Sequence, residues 1–224
     1  GVTGEMILPQ VMTIRSIPLT VNYPGRFEVH GECFMKISTL NRLNAAGGEI
    51  LKNPRNAAAG ALRNLNPAVT AARRLDACFY DVGYFEGHSF ENQREMLDFL
   101  RENRFPVSGC EIAAGDFASI DAAVDRIEEE KAELDYMIDG AVIKITDFAT
   151  REVLGYTDKF PRWAVAYKFE AEEQLTTVEK VEWQVGRTGK LTPLAFVTPV
   201  ELAGATVKRA TLNNYGDILR KRVK

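Results

Sequence analysis

Two short stretches constrain this chain more than any others. IDGAVIKITD (Ile138 to Asp147) sets Lys144 between two isoleucines, and WAVAYKFE further along sets Lys168 among large apolar residues. Both alternate with the period of a β-strand, so each has two chemically different faces. On the first, Lys144 shares a face with Val142, and Ala141, Ile143 and Ile145 point the other way. On the second, Lys168 shares its face with Ala164 and Ala166. Trp163, Val165, Tyr167 and Phe169 take the opposite side and are expected to form core. Ammonium groups are seldom buried without a partner. The small residues beside Lys168 leave room for a flat ligand or a phosphate; a plainly solvated outer face is the alternative.

Other segments supply the rest of an α+β domain. FEVHGECFM alternates, with Phe27, Val29, Cys33 and Met35 on one side and Glu28, His30 and Glu32 on the other. A carboxylate at Glu32 can accept from a ribose hydroxyl, pair with a lysine, or stand exposed. Helices are expected in residues 1–15 (capped by Thr3), after a Ser38 cap with Leu40 and Leu43 inward, from Pro54 in PRNAAAGALRNL, over Glu91–Asn103 and over Ser119–Glu130. Strands are expected at Leu75–Glu86, Tyr136–Thr146 and Trp163–Phe169, the last two joined by a loop. Beyond Glu172 the texture turns strand-rich, with turns at GRTGK and ELAGA, as in a small antiparallel barrel. GRTGKL is not a phosphate-binding loop: the required glycine and Ser/Thr are replaced by Gln184 and Leu191, so a hairpin turn is expected.

The Pro54 helix carries Arg55 and Arg63, about 12 Å apart along the axis and ~80° apart around it. A guanidinium fork suits phosphate oxygens, and Ala57–Gly60 permit close approach. A helix with solvated ends is the alternative. Charge is segregated although the chain's net charge is −3: Lys36–Asp76 holds seven basic residues against two acidic, and Glu111–Asp135 holds nine acidic against two basic. One face can therefore attract a polyanion.

With 46% hydrophobic residues, the 224-residue chain can bury a real core and a second module. No apolar run is long enough to span a bilayer, and no secretory pattern is present. Cys33, Cys78 and Cys110 are far apart and the only histidines are His30 and His88. That pattern excludes a zinc site and a disulfide framework, and predicts buried reduced thiols in a cytoplasmic protein.

Taken in order, EVHGECFM, NPRNAAAGALRNLNP, IDGAVIKI, PRWAVAYKFEAEE, VEWQVGRTGKLTPLA and GATVKRATLNN resemble the bacterial NAD-dependent DNA ligases over nearly the whole chain. The order argues against a capping-type or RNA ligase relative. The resemblance implies a nucleotidyltransferase (ATP-grasp-like) fold of antiparallel sheets with flanking helices over residues 1–172. Residues 173–224 would begin an OB-fold barrel. It implies NAD and Mg2+ as cofactors, and nicked double-stranded DNA and NAD/AMP as partners. A monomer acting in DNA replication and repair is expected.

Residue by residue, the resemblance assigns Glu32, Lys144, Lys168, Asp139 and Val142 to the adenylate pocket, Lys144 and Lys168 as supporting cations. Arg55 and Arg63 match helix arginines important for ligation. No K-x-D-G tetrapeptide, which carries the family's nucleophilic lysine, occurs in the chain; MIDG (Met137–Gly140) is its nearest imitation. A fragment of a longer chain is therefore expected, without the family's N-terminal, zinc, helix-hairpin-helix and C-terminal modules, and incompetent alone. A nucleotide- or DNA-binding module without catalysis is the alternative. Departures from the family pattern stand at Lys131, Asp135, Met137, Glu170 and Asn213. They bear on the loop before Asp139 and on the barrel's DNA contact.

Overall fold

The computed structural model describes residues 4–170, 173–202 and 205–221. It divides into two compact units, Gly1–Phe169 and Glu170–Lys224, each a mixture of helices and small antiparallel sheets. Thr3, the expected first cap, and the tip of the ELAGA turn lie outside the described residues. Among the described residues no helix is long and apolar enough to cross a membrane.

The first unit is built around β1 (Phe27–Phe34) and β2 (Asp76–Phe85), an antiparallel pair in which Glu32 faces Cys78 and Cys33 faces Ala77. One face is buried as its alternation requires: Ala77 and Phe79 are 4% and 7% exposed, with Phe27, Val29 and Cys33 packed beside them. Gly31 lies in this pair because a Cβ there would come within 2.6 Å of the Cys78 carbonyl oxygen. Against the buried face lies α5 (Gln93–Glu102), whose Met96, Leu97 and Leu100 are all buried. The helix ends without glycine. Arg104 takes a left-handed conformation, Phe105 N–H donates to Leu100 C=O and Arg104 N–H to Arg101 C=O, a Schellman closure.

Three more helices complete this layer: α1 (Leu8–Val11), α2 (Ile37–Ala45) and α3 (Pro54–Leu62). Asn53 caps α3 by accepting from Asn56 N–H, Pro54 starts it, and Ala58 and Ala61 are buried. A helix not anticipated, α4 (Pro67–Arg73), follows with an Asn66 cap. Its Thr70 hydroxyl donates to Ala61 C=O at 2.8 Å, fastening the two helices. The expected Ser38 cap is corrected. The N-cap of α2 is Lys36, whose side chain makes no capping bond. Asp135 accepts from Ser38 N–H at 2.8 Å and from its hydroxyl at 2.6 Å, across 97 residues of sequence. Asp135 thus holds a helix end, and those two bonds keep its carboxyl below the usual carboxylate range.

α6 (Phe117–Glu130) begins with a capping box between Asp116 and Ser119. The second ribbon pairs β3 (Gly140–Lys144) with β4 (Ala164–Lys168). Their connection is a helix, α7 (Phe148–Leu154), rather than a loop; Asp147 caps it by accepting from Thr150 N–H. The expectation that Trp163, Val165, Tyr167 and Phe169 all form core is also corrected. Phe169 is 6% exposed, but Val165 and Tyr167 are 62% and 45% exposed. A two-stranded ribbon is covered only where other elements reach it: Arg151 lies over Trp163 at one end and Lys131 over Phe169 at the other. The three cysteines are free and half-buried rather than buried. Burial still raises the Cys33 and Cys78 thiols above their ordinary values.

The second unit is a three-stranded sheet, β5 (Val178–Val185), β6 (Leu191–Leu202) and β7 (Ala205–Thr211), with α8 (Tyr215–Lys221) after it. GRTGK is the expected hairpin turn, with Gly186 N–H donating to Lys190 C=O at 2.8 Å. Ala195 and Val197 are buried on one face; on the other, Lys180 and Arg209 flank the Phe196 ring. Asn213 takes a left-handed conformation, which asparagine tolerates.

Candidate nucleotide-binding site

The register of the second ribbon puts both lysines on one face. Gly140 pairs with Lys168, Val142 with Ala166 and Lys144 with Ala164, and directly opposed residues in an antiparallel pair point the same way. The lysines stand at opposite ends of that face, about 13 Å apart along the strands. Between them lie Ala166 and Val142, which is 60% exposed, with Ala164 beside Lys144. The surface is therefore flat, apolar at its middle and cationic at both ends.

At one end three expected residues meet. Asp139 precedes β3 and accepts from Lys168 Nζ at 3.1 Å, while Arg55 Nη1, from the first turn of α3, lies 3.6 Å from the same oxygen. The hydrogen bond from Lys168, aided by the charges of Lys168 and Arg55, holds the Asp139 carboxyl below the usual carboxylate range. Both cations are 75% exposed, so their free sides meet solvent. Gly140 follows for a steric reason: a Cβ there would sit 2.2 Å from the Tyr167 carbonyl oxygen, too close for the strands to pair.

At the other end Lys144 Nζ lies 5.4 Å from the centroid of the Tyr80 ring. Burial holds its ammonium below the ordinary lysine range, opposed by the Asp81 carboxylate and reinforced by the Arg151 charge. Tyr80 alternates with the buried Ala77 and Phe79 and is 48% exposed. It is the extra residue of a β-bulge, between Phe79 opposite Gly31 and Asp81 opposite His30, two residues after Cys78, the partner of Glu32. Lys144 thus links the lysine face of the second ribbon to the bulge of the first. Glu32 is exposed and, among the described residues, pairs with no lysine. Arg63 is the C-cap of α3, exposed, and no carboxylate within ion-pair distance joins it to the Asp139 group among the described residues.

Two residues of this region carried no sequence expectation. Tyr80 was legible only as one more aromatic in an alternating strand. Arg151, 7% exposed, is held between the Phe148 and Trp163 rings, 4.3 Å from each. It donates to Ile145 C=O at 2.6 Å and to Gln93 Oε1 at 2.7 Å. Gln93 N–H donates to Thr146 C=O at 2.9 Å. Arg151 therefore ties the end of β3 to the start of α5, and so fixes where Lys144 meets Tyr80. Nothing in the local pattern of α7 marks that arginine as buried.

The donor set matches a nucleotide: an exposed ring for a base, a carboxylate for ribose hydroxyls, and fixed cations for phosphate. Among the described residues no three histidine, cysteine or carboxylate side chains gather as metal ligands.

Two family descriptions match the chain. Residues 1–172 match the family described as the NAD-dependent DNA ligase adenylation domain, and residues 175–224 that described as the NAD-dependent DNA ligase OB-fold domain. The chain belongs to the NAD-dependent DNA ligase family. It is similar to the DNA ligase of Alkaliphilus metalliredigens at 58% identity, with 100% of the chain covering 34% of that protein. The DNA ligases of Alkaliphilus oremlandii and Finegoldia magna are each 53% identical, over 100% of the chain and 34% of each relative. The chain thus spans about a third of the length of these curated ligases.

Proposed function

We propose that this chain is the adenylate-handling part of an NAD-dependent DNA ligase, a monomeric cytoplasmic enzyme that seals 5′-phosphate/3′-hydroxyl nicks in replication and repair. The observation that carries the reading is the single ribbon face with Lys144 over Tyr80 at one end and Lys168 with Arg55 on Asp139 at the other. In such a ligase a lysine attacks the adenylyl phosphorus of NAD and nicotinamide mononucleotide leaves. AMP then passes to the 5′-phosphate of the nick, and the 3′-hydroxyl displaces AMP as the strand closes.

Each residue has a part in that sequence. Tyr80 stacks on the adenine and Glu32 accepts from the ribose. Val142 and the two alanines bed the nucleotide between them. Lys144 and Lys168 stabilise the negative charge that spreads over the phosphoryl oxygens. Asp139 keeps Lys168 and Arg55 in place until a phosphate competes for them, and Arg55 and Arg63 take DNA phosphates at the ends of α3. Mg2+ would take its ligands from substrate phosphates and water, and no step here is routed through it. We assign residues 1–172 to a nucleotidyltransferase, ATP-grasp-like domain and 173–224 to the beginning of an OB-fold.

The nucleophile is not among these residues, since the chain holds no K-x-D-G. That same fact favours the second reading, a ligase-derived module that holds nucleotide or nicked DNA without forming the covalent adenylate. Intact-mass measurement with NAD and Mg2+ should show no added AMP on this chain; a covalent adenylate would remove the account of the nucleophile. In the full-length ligase, Lys144→Ala with Lys168→Ala should abolish adenylation while leaving the fold intact. Near-normal self-adenylation would overturn the pocket assignment.

A further inference from the structure

A second concentration of positive charge lies in the first unit, on elements that do not carry the lysine face. A cleft of ≈ 460 Å³ is lined by Arg15, Lys36, Arg42 and Arg74, with the hydroxyl residues Ser38 and Thr39 between them. The four cations come from four places: the segment after α1, the residue that starts α2, the body of α2, and the end of α4. No local repeat brings them together; the fold does.

The negative groups nearby are few and already engaged. Asp76 pairs with Lys36 at 3.1 Å, and Asp135 holds Ser38. Arg15, Arg42 and Arg74 are exposed and have no ion pair among the described residues. In a chain of net charge −3, three unpaired guanidinium groups around one cleft are a local excess. Arg74 adds a conformational observation. Its backbone is left-handed, φ 49 and ψ 57, at the end of α4, where glycine would be at ease and arginine is strained.

We propose that this cleft is an anion site separate from the adenylate site, and that its ligand is the phosphodiester backbone of duplex DNA. The guanidinium forks would each take a pair of phosphate oxygens, and the Thr39 hydroxyl would donate alongside; the Ser38 hydroxyl already donates to Asp135. Backbone contacts of this kind position a duplex and carry no sequence information. The inference rests on the reading of the chain as part of a DNA ligase, and adds a second place where the duplex is held.

The test uses this chain, a fluorescein-labelled nicked duplex and fluorescence anisotropy across a salt series. Arg15→Ala, Arg42→Ala and Arg74→Gly combined should weaken binding at low salt about ten-fold or more and reduce the slope of log affinity against log salt by about three. Arg74→Gly alone guards against misfolding. It should weaken binding while raising the thermal midpoint, because glycine relaxes the left-handed backbone. Unchanged affinity and slope in both variants, or no duplex binding by the unaltered chain at low salt, would overturn the proposal. Inorganic tripolyphosphate that displaces the duplex at equal phosphate concentration would reject DNA as the ligand in favour of a free polyphosphate. Failure of the adenylate reading has a different signature: AMP binding indifferent to Lys144→Ala with Lys168→Ala, a quantity the cleft variants do not touch.

Discussion

The β1–β2 ribbon leaves Ala77 and Phe79 only 4% and 7% exposed, whereas the β3–β4 ribbon leaves Val142 and Val165 60% and 62% exposed. Both are two-stranded, antiparallel and alternating. The first has helices laid along one face and works as the wall of a core. The second is covered more sparsely: α6 lies beside β3, where Ala141 and Ile143 are half-buried, and Arg151 over Trp163 and Lys131 over Phe169 close its ends. An alternating strand offers two faces to its surroundings, but what covers each face is decided elsewhere in the chain. Here the less covered ribbon is the one that carries the cations, and the open face around Val142 leaves room for a ligand.

The sharpest way to break this contrast is to truncate one side chain on each ribbon. Phe79→Ala should cost about 3–5 kcal/mol, because it empties a packed core. Val165→Ala should stay within about 0.5 kcal/mol, as an exposed position does. Urea unfolding of both variants checks the pair, and equal losses would mean that the second ribbon is also a core wall.

Gly140→Ala should cost about 1–3 kcal/mol, because its methyl must push against the Tyr167 carbonyl or part the strands. Hydrogen exchange at β3 and β4 should accelerate with it, and slow exchange would contradict the close approach.

Lys144→Met should act in the opposite direction. Between the lowered value of the folded ammonium and its ordinary value of 10.5, the unfolded chain binds more protons than the folded one, so stability rises with pH across that window. The variant should be more stable at neutral pH and lose that alkaline rise, while losing affinity for AMP. Thermal melts at several pH values, alongside AMP titration, separate the two effects.

The smallest expected effect is that of Asp139→Asn. The folded Asp139 carboxyl titrates below 3.8, so its contribution is complete above that value and is lost as pH falls through the folded one. Because the pair is exposed, the loss should be under about 1 kcal/mol. It should appear as a flatter acid limb of stability, and an unaltered limb would mean that Lys168 and Arg55 do not hold that carboxylate.

Much of this was legible beforehand. The faces of FEVHGECFM, the Pro54 start of α3, the inward Met96, Leu97 and Leu100, and the GRTGK hairpin all follow from local pattern. The helices α4, α7 and α8 were missed, although Asn66 caps the first and Asp147 the second. All three are seven residues long, too short for a periodic apolar stripe to stand out. Of the candidate site, the residue types were readable and their partners were not. Nothing local indicates that Arg55 meets Asp139, that Lys144 stands over Tyr80, or that Arg151 is buried without a carboxylate.

Sequence alone was enough to determine the alternation that sets both lysines away from the bulky residues of their strands, and the ordered motifs that mark the ligase family. Those are properties of neighbours along the chain, where backbone geometry dictates which side chains share a face. Tertiary structure decided which face is covered, that Asp135 closes a helix beginning 98 residues earlier at Ile37 and bonds Ser38 across 97, and that four cations gather in one cleft. Burial and ion pairing depend on groups remote in sequence, and only folding brings those groups within the few ångströms over which they act.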